Sequence, residues 1–197
     1  MTLRRLFGLG GVYEVLIAPF SQVLNQADAD RAAGSPRSLS RAMSENVWDY
    51  PRPPRLEPCK RRARVEFGGQ LIADSSRALR ILETSHPPVI YIPAEDFIAG
   101  ALVPSAANST FCEFKGVADY LDVSAGGKVA EAAAWTYPRP VDAYAELADH
   151  VAVYPERMDR CLLDDEAVRA QEGDFYGGWV TDEIEGPLKG GPGTRGW

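Results

Sequence analysis

Cysteine and histidine are scarce in this chain, with three and two copies among 197 residues. Cys59, Cys112 and Cys161 are odd in number and far apart, which excludes the disulfide framework of a small secreted domain. The same spacing excludes a structural zinc site, which needs close ligand pairs such as Cys-x-x-Cys, so neither metal nor cofactor is expected. Long apolar runs are missing too: nothing reaches the roughly 18 residues that a membrane-spanning helix requires. Nor is there an excess of positive charge, since 21 Lys+Arg stand against 28 Asp+Glu. That balance argues against coating nucleic acid or an anionic membrane, which takes a basic face. A phosphate loop is also absent. The nearest stretch is Gly186 to Thr194, where Pro192 follows Gly191 and has no N–H to offer a phosphate.

What the chain holds in quantity is 18 Gly and 15 Pro, which points to a turn-rich, mostly β architecture. Residues 1–42 stand apart, with five arginines against three carboxylates and a Ser/Ala/Arg-rich second half. They read as a disordered extension ahead of a start at Met43 in a cytoplasmic protein; an organellar presequence is the alternative. Trp48 to Pro58 reads as a proline-stiffened, extended lead-in, neither helix nor central strand. The cluster Lys60-Arg61-Arg62-Ala63-Arg64 reads as a solvated strand edge, with an anion site as the alternative.

Strands are predicted at Arg64–Phe67 and Gln70–Ala73 around Gly68-Gly69, whose positive φ suits a tight hairpin. Arg77–Glu83 is read as strand, because Pro87-Pro88 forces an extended exit, and Val89–Ile92 as another. A second hairpin is predicted at Val117–Ser124 and Val129–Tyr137 around Gly126-Gly127. A period of two puts Val129, Ala133, Trp135 and Tyr137 on one face. One short helix is expected at Val141–Ala148 and a strand at His150–Tyr154. The acidic turn Asp164-Asp165-Glu166 and the carboxylates Asp182, Glu183 and Glu185 read as solvated. Trp48-Asp49-Tyr50-Pro51-Arg52-Pro53 echoes Trp135-Thr136-Tyr137-Pro138-Arg139-Pro140, best read as two separate strand exits.

Several ordered motifs carry a family resemblance. They are Leu82-Glu83-Thr84-Ser85-His86-Pro87-Pro88-Val89-Ile90-Tyr91-Ile92-Pro93, Ser109 through Tyr120, Ala134-Trp135-Thr136-Tyr137-Pro138, and the tail motifs Gly173 to Trp179 and Gly186 to Thr194. From Trp48 to Trp197 the chain resembles the domain-of-unknown-function family numbered 427, sometimes labelled nucleotidyltransferase-like. The resemblance implies a single compact β-tent-like domain, similar to methionine sulfoxide reductase B, over residues 43–170. One or two short helices and a Gly-rich tail at 171–197, packed on the domain, complete it. It implies no reaction, and no paired acidic motif beside a phosphate loop supports nucleotidyl transfer. Leu121, Val153 and Leu188 stand where members often carry aromatics.

The residues themselves suggest a site. Cys112 is a candidate nucleophile beside Lys115, whose ammonium would lower a thiol pKa, although on a strand the two face opposite ways. Glu83 and His86 are candidate general bases, and Arg80 a candidate clamp for a carboxylate or phosphate. Tyr91, Trp135 and Tyr137 are candidate ligand-binding aromatics. The expected function is binding of a small, anionic ligand in a pocket lined by Arg80, Glu83, Lys115 and Trp135. The alternatives are a non-catalytic protein-interaction module and a cysteine-based redox or transfer enzyme using Cys112.

Overall fold

The computed structural model describes residues 44–173, 175–194 and 197; the expectations for residues 1–42 and the Met43 start lie outside them. The described chain is mostly β, as its Gly and Pro content implies. It opens with β1 (Glu45–Asn46), a 3-10 turn and β2 (Arg55–Pro58), followed by β3 (Ala63–Phe67), β4 (Gln70–Ser75), β5 (Leu79–Leu82) and β6 (Val89–Pro93). Next come β7 (Leu102–Pro104), β8 (Thr110–Cys112), β9 (Gly116–Ala125), β10 (Lys128–Thr136) and β11 (His150–Val153). The last strands are β12 (Arg160–Leu163), β13 (Glu166–Ala167), β14 (Arg169–Ala170), β15 (Trp179–Val180) and β16 (Ile184–Glu185). No helix among the described residues is long and apolar enough to cross a membrane.

An eight-stranded sheet runs in the order β2-β5-β6-β11-β10-β9-β7, with β8 also on β9, and a four-stranded sheet runs β13-β12-β3-β4. Strand alternation explains how they stack. Ile90 and Ile92 of β6, Val151 and Val153 of β11, and Val123 of β9 join Val65, Ile72 and Cys161 of the smaller sheet in the main core. The intervening Tyr91 and Ala152 point the other way, into a second cluster with Leu79, Ile81, Trp135, Tyr137 and Tyr154. The large sheet is therefore apolar on both faces, which is why Val89–Ile92 reads as an unbroken apolar run.

Both Gly-Gly hairpins form where expected, with positive φ at Gly68, Gly69, Gly126 and Gly127. Their tips also touch. A Cβ on Gly68 would sit 2.1 Å from the Ala125 carbonyl oxygen, and one on Gly126 would sit 1.9 Å from the Gly68 oxygen. Glycine is demanded there by backbone-on-backbone packing as well as by turn geometry.

Three local expectations need correction. Trp48 and Asp49 lie in a 3-10 turn (Val47–Asp49), not in extended chain, because the Asn46 side chain caps it by accepting from the Trp48 N–H at 3.0 Å. The Val141–Ala148 helix is a pair of 3-10 turns over Asp142–Leu147, broken at Tyr144. In β10, register shifts between Ala130 and Ala134, so Glu131, Ala132 and Ala133 stand against Asp122 alone. Ala132 has φ 48° there, and its N–H donates to Asp122 Oδ1 at 2.8 Å. Ala133 is thereby turned into the main core, while Val129 is 62% exposed.

The contact between hairpin tips yields a direct test. Gly68→Ala should destabilise by roughly 1–3 kcal/mol through overpacking, on top of about 1–2 kcal/mol for a left-handed alanine. Gly69→Ala, which meets nothing within 4 Å, should show only the second cost. Equal urea-unfolding free energies for the two variants would refute the tip contact.

Candidate functional site

The outer face of the large sheet is not left to solvent. Tyr91 of β6, Trp135 of β10 and the flanking Tyr137 and Tyr154 form an aromatic floor beneath a cavity of about 420 Å³. That size falls within the roughly 300–1,000 Å³ of small-molecule sites. Trp135 Nε1 donates to the Tyr91 hydroxyl at 3.2 Å, and the two rings meet edge-on at 6.2 Å. Tyr137 and Tyr154 flank them at 6.3 Å from Tyr91 and 4.6 Å from Trp135. Burial, first of all, pushes the Tyr91 and Tyr137 phenols up, so both remain protonated hydrogen-bond donors at neutral pH.

One wall is the turn that follows β8. Cys112, Glu113, Phe114 and Lys115 all line the cavity. Strand geometry would have separated Cys112 from Lys115, but the strand ends at Cys112 and Gly116 reverses the chain at φ 100°. Lys115 is only 8% exposed. Its Nζ lies 6.0 Å from the centre of the Tyr137 ring, and no carboxylate pairs with it among the described residues. Cys112 packs against the aromatic cluster and is half-buried.

A second wall is the turn between β5 and β6, gripped by the tail. Lys189 N–H donates to Ser85 O and Trp179 N–H to Pro88 O, both at 2.8 Å. Between them sits His86, 7% exposed, edge-on to Tyr176 at 4.8 Å. Its Nδ1 is 2.9 Å from the Thr84 carbonyl oxygen. A carbonyl only accepts, so Nδ1 carries the hydrogen and Nε2 keeps its lone pair. Burial holds the imidazole pKa below its ordinary 6.5; the Thr84 bond and Glu83 oppose this, and Lys189 and Arg52 reinforce it.

Arg80, a sequence candidate, is not in the cavity. Leu79 and Ile81 face the aromatic cluster, so the alternation of β5 turns Arg80 away. Its guanidinium bonds Glu57 Oε1 at 2.8 Å and Glu45 Oε1 at 3.0 Å. Burial alone would depress its pKa, but these carboxylates hold it above the usual value. Glu83 does line the cavity, paired to Arg52 Nη2 at 2.9 Å. The basic cluster is likewise neutralised and offers no anion site: Arg61 bonds Asp164 and Glu166 at 3.0 and 2.8 Å, and Arg62 bonds Asp74. Asp164, Glu166 and Glu183 are ion-pair partners of Arg61, and Asp182 pairs with Arg169; Asp164 and Asp182 keep the exposure expected of them and are paired as well.

The structure brings together Glu83, His86, Tyr91, Cys112, Lys115, Trp135 and Tyr137 and sets Arg80 aside. Sequence reasoning missed Arg52, Tyr154, Gln171, Tyr176 and Lys189, all of which line the cavity. The Trp-x-Tyr-Pro-Arg-Pro echo was a signal for Arg52. Lys189 and Gln171, in loop-like tail sequence, gave none. Three cations (Arg52, Lys115, Lys189) face two carboxylates (Glu83, Glu113) around the cavity, so the site is locally positive in an acidic protein.

Residues 55–164 match the family described as "Domain of unknown function (DUF427)", more than half of the 197-residue chain. The chain belongs to this family. Comparison with curated proteins gives no match. Within the DUF427 span lie the aromatic floor, Cys112, Lys115 and His86, whereas Arg52, Gln171, Tyr176 and Lys189 come from its flanks.

A pH test isolates His86. Its folded-state pKa is lowered, so the unfolded chain binds a proton that the folded site resists, and stability falls as pH drops below about 6.5. The His86→Gln variant should lose that slope, up to about 1.4 kcal/mol per pH unit just below pH 6.5. Identical slopes for the two proteins would show that His86 titrates normally.

Proposed function

We propose that this DUF427 protein binds a small organic anion with a flat apolar body in the cavity above Tyr91 and Trp135. The observation that carries this reading is Lys115, a cation nine-tenths buried over a tyrosine ring, with no carboxylate partner among the described residues. With no protein carboxylate competing for it, the ammonium is free to pair with an entering anion, and such charge-assisted bonds are roughly twice as strong as neutral ones. The aromatic floor supplies faces for stacking at centroid spacings of about 4.5–7 Å. Phe111 and Phe175, at 76% and 63% exposure, stand at the same cavity and favour a ligand whose apolar part reaches the mouth. The three free thiols suit a reducing, cytosolic setting.

The test is calorimetry on the full chain with benzoate, phenyl phosphate, adenosine monophosphate and, as cationic control, cyclohexylamine. Aryl anions should bind while the amine does not, and Lys115→Gln should weaken the bound anion tenfold or more, since hydrogen bonds to charged groups contribute about 1.5–3 kcal/mol. Phosphate against carboxylate probes separates the two anion classes. Absence of binding by every anion, or an unchanged affinity in Lys115→Gln, would overturn the proposal.

Two other readings have specific support. The exposed phenylalanines at the mouth fit a protein-interaction module, and Cys112 gives the cavity a thiol for transfer or redox chemistry. Iodoacetamide labelling of the folded protein should modify Cys112 ahead of the buried Cys59 and Cys161; labelling that spares Cys112 would remove the thiol reading.

A further inference from the structure

Two polar side chains that line the cavity are nine-tenths buried as residues and hold a group with no hydrogen-bond partner among the described residues: the ammonium of Lys115 and Nε2 of His86. They sit on different walls. Lys115 rests over Tyr137, and its wall is the turn after β8. His86 is edge-on to Tyr176, and its wall is the turn between β5 and β6.

We infer that the ligand is an acid bearing, apart from its anionic group, an uncharged N–H or O–H donor that His86 Nε2 accepts. The hydroxy- and amino-substituted aryl acids are the matching chemical class. This rests on the anion reading above and adds the group at the other wall.

The chemistry of His86 permits little else. Thr84 O fixes the Nδ1–H tautomer, so Nε2 can only accept while the ring is neutral. No described residue donates to it. The groups that face the imidazole are Glu83, paired to Arg52, the Arg52 guanidinium, and the Lys189 ammonium. Lys189 is itself directed elsewhere, donating to Trp197 O at 2.5 Å and lying 5.7 Å from the Tyr176 ring. Two nearby cations disfavour a third positive charge, so an imidazolium bound to a ligand carboxylate is the wrong picture for this wall.

The ring is also held rigidly. Ser85 has φ 69° and is buried, and its N–H donates to Val47 O at 3.0 Å. His86 N–H donates to Glu83 O at 3.0 Å, and the tail grips the turn at Ser85 O and Pro88 O. Strain held in place by so many contacts is a mark of functional positioning. A fixed acceptor discriminates by leaving itself unpaired when the wrong ligand binds, because an unsatisfied buried group costs about 1–3 kcal/mol.

The experiment compares benzoate with the three positional hydroxybenzoates, the three aminobenzoates and the three methoxybenzoates, by calorimetry on the full-length protein. At least one hydroxy or amino isomer should bind about tenfold tighter than both benzoate and the methoxy compound of the same position. In His86→Phe, which keeps a ring against Tyr176 but offers no acceptor, that advantage over benzoate and the methoxy compound, each measured on the variant itself, should vanish. His86→Gln, which restores an acceptor, should recover part of it. Circular dichroism confirms that each variant is folded. Equal affinities for hydroxy, amino, methoxy and parent acids would overturn the inference and leave the anion reading standing. An advantage that survives in His86→Phe would do the same. Failure of every acid to bind would instead bring down the anion reading and this inference with it.

Discussion

The aromatic floor depends on the irregularity in β10 taking up two extra residues, an even insertion that keeps Ala130 and Ala134 on the main core and Trp135 and Tyr137 on the outer face. Three residues are squeezed against Asp122, and the strain is held by side chains rather than by glycine. Asp122 accepts the Ala132 N–H at 2.8 Å, and Arg157 Nη1 donates to the carbonyls of Glu131 and Ala132 at 2.9 and 3.3 Å. Past this point Ala134 faces the main core, and Trp135 and Tyr137 face outward. Bulges increase local twist and re-aim side chains beside functional sites. Here the outward pair beyond the bulge supplies half of the aromatic floor, and Arg157 also stacks on Tyr154, another floor residue, at 5.1 Å.

That floor would be an exposed apolar patch on an ordinary half-buried sheet. The tail converts it into the base of a half-open cavity. Gly177 lies so close to Trp135 that a Cβ would approach the ring carbon Cη2 to 2.3 Å. Gln171 locks the segment by donating from Nε2 to Lys189 O at 2.6 Å while its Oε1 accepts the Gly178 N–H at 3.2 Å. Trp48 ties the lead-in to the same segment, its Nε1 donating to Pro187 O at 3.0 Å and its ring meeting Trp197 at 5.4 Å. Lead-in and tail thus close over the sheet from both ends of the described chain.

Much of this was legible in residue types. Gly68-Gly69 and Gly126-Gly127 announce their turns because few other residues tolerate such backbone, and Pro87-Pro88 fixes the exit into β6. Lys115 and Trp135 could be singled out because a lysine in an aromatic stretch is chemically conspicuous. The bulge was not legible, since the alanines around it carry no Gly or Pro signal and the groups that hold it, Asp122 and Arg157, are distant in sequence. The misplacement of Arg80 is a different case. Reading residues 77–83 as strand already puts positions 80 and 83 on opposite faces, so the chosen clamp conflicted with the chosen secondary structure. The acidic turn is exposed at Asp164 and Asp165, as expected; its ion pairing was hidden because the partner, Arg61, lies about a hundred residues earlier.

The cavity has two origins along the chain. Floor, ammonium and imidazole belong to the stretch that defines the family, while Arg52, Gln171, Tyr176 and Lys189 lie before and after it. A DUF427 relative with different flanking sequence would inherit the reactive interior of this site but not its enclosure. The same catalogue of side chains would then meet a different ligand, or meet bulk water. Enclosure in such a family would be written in its margins, and the shared domain would carry floor, ammonium and imidazole without fixing what covers them.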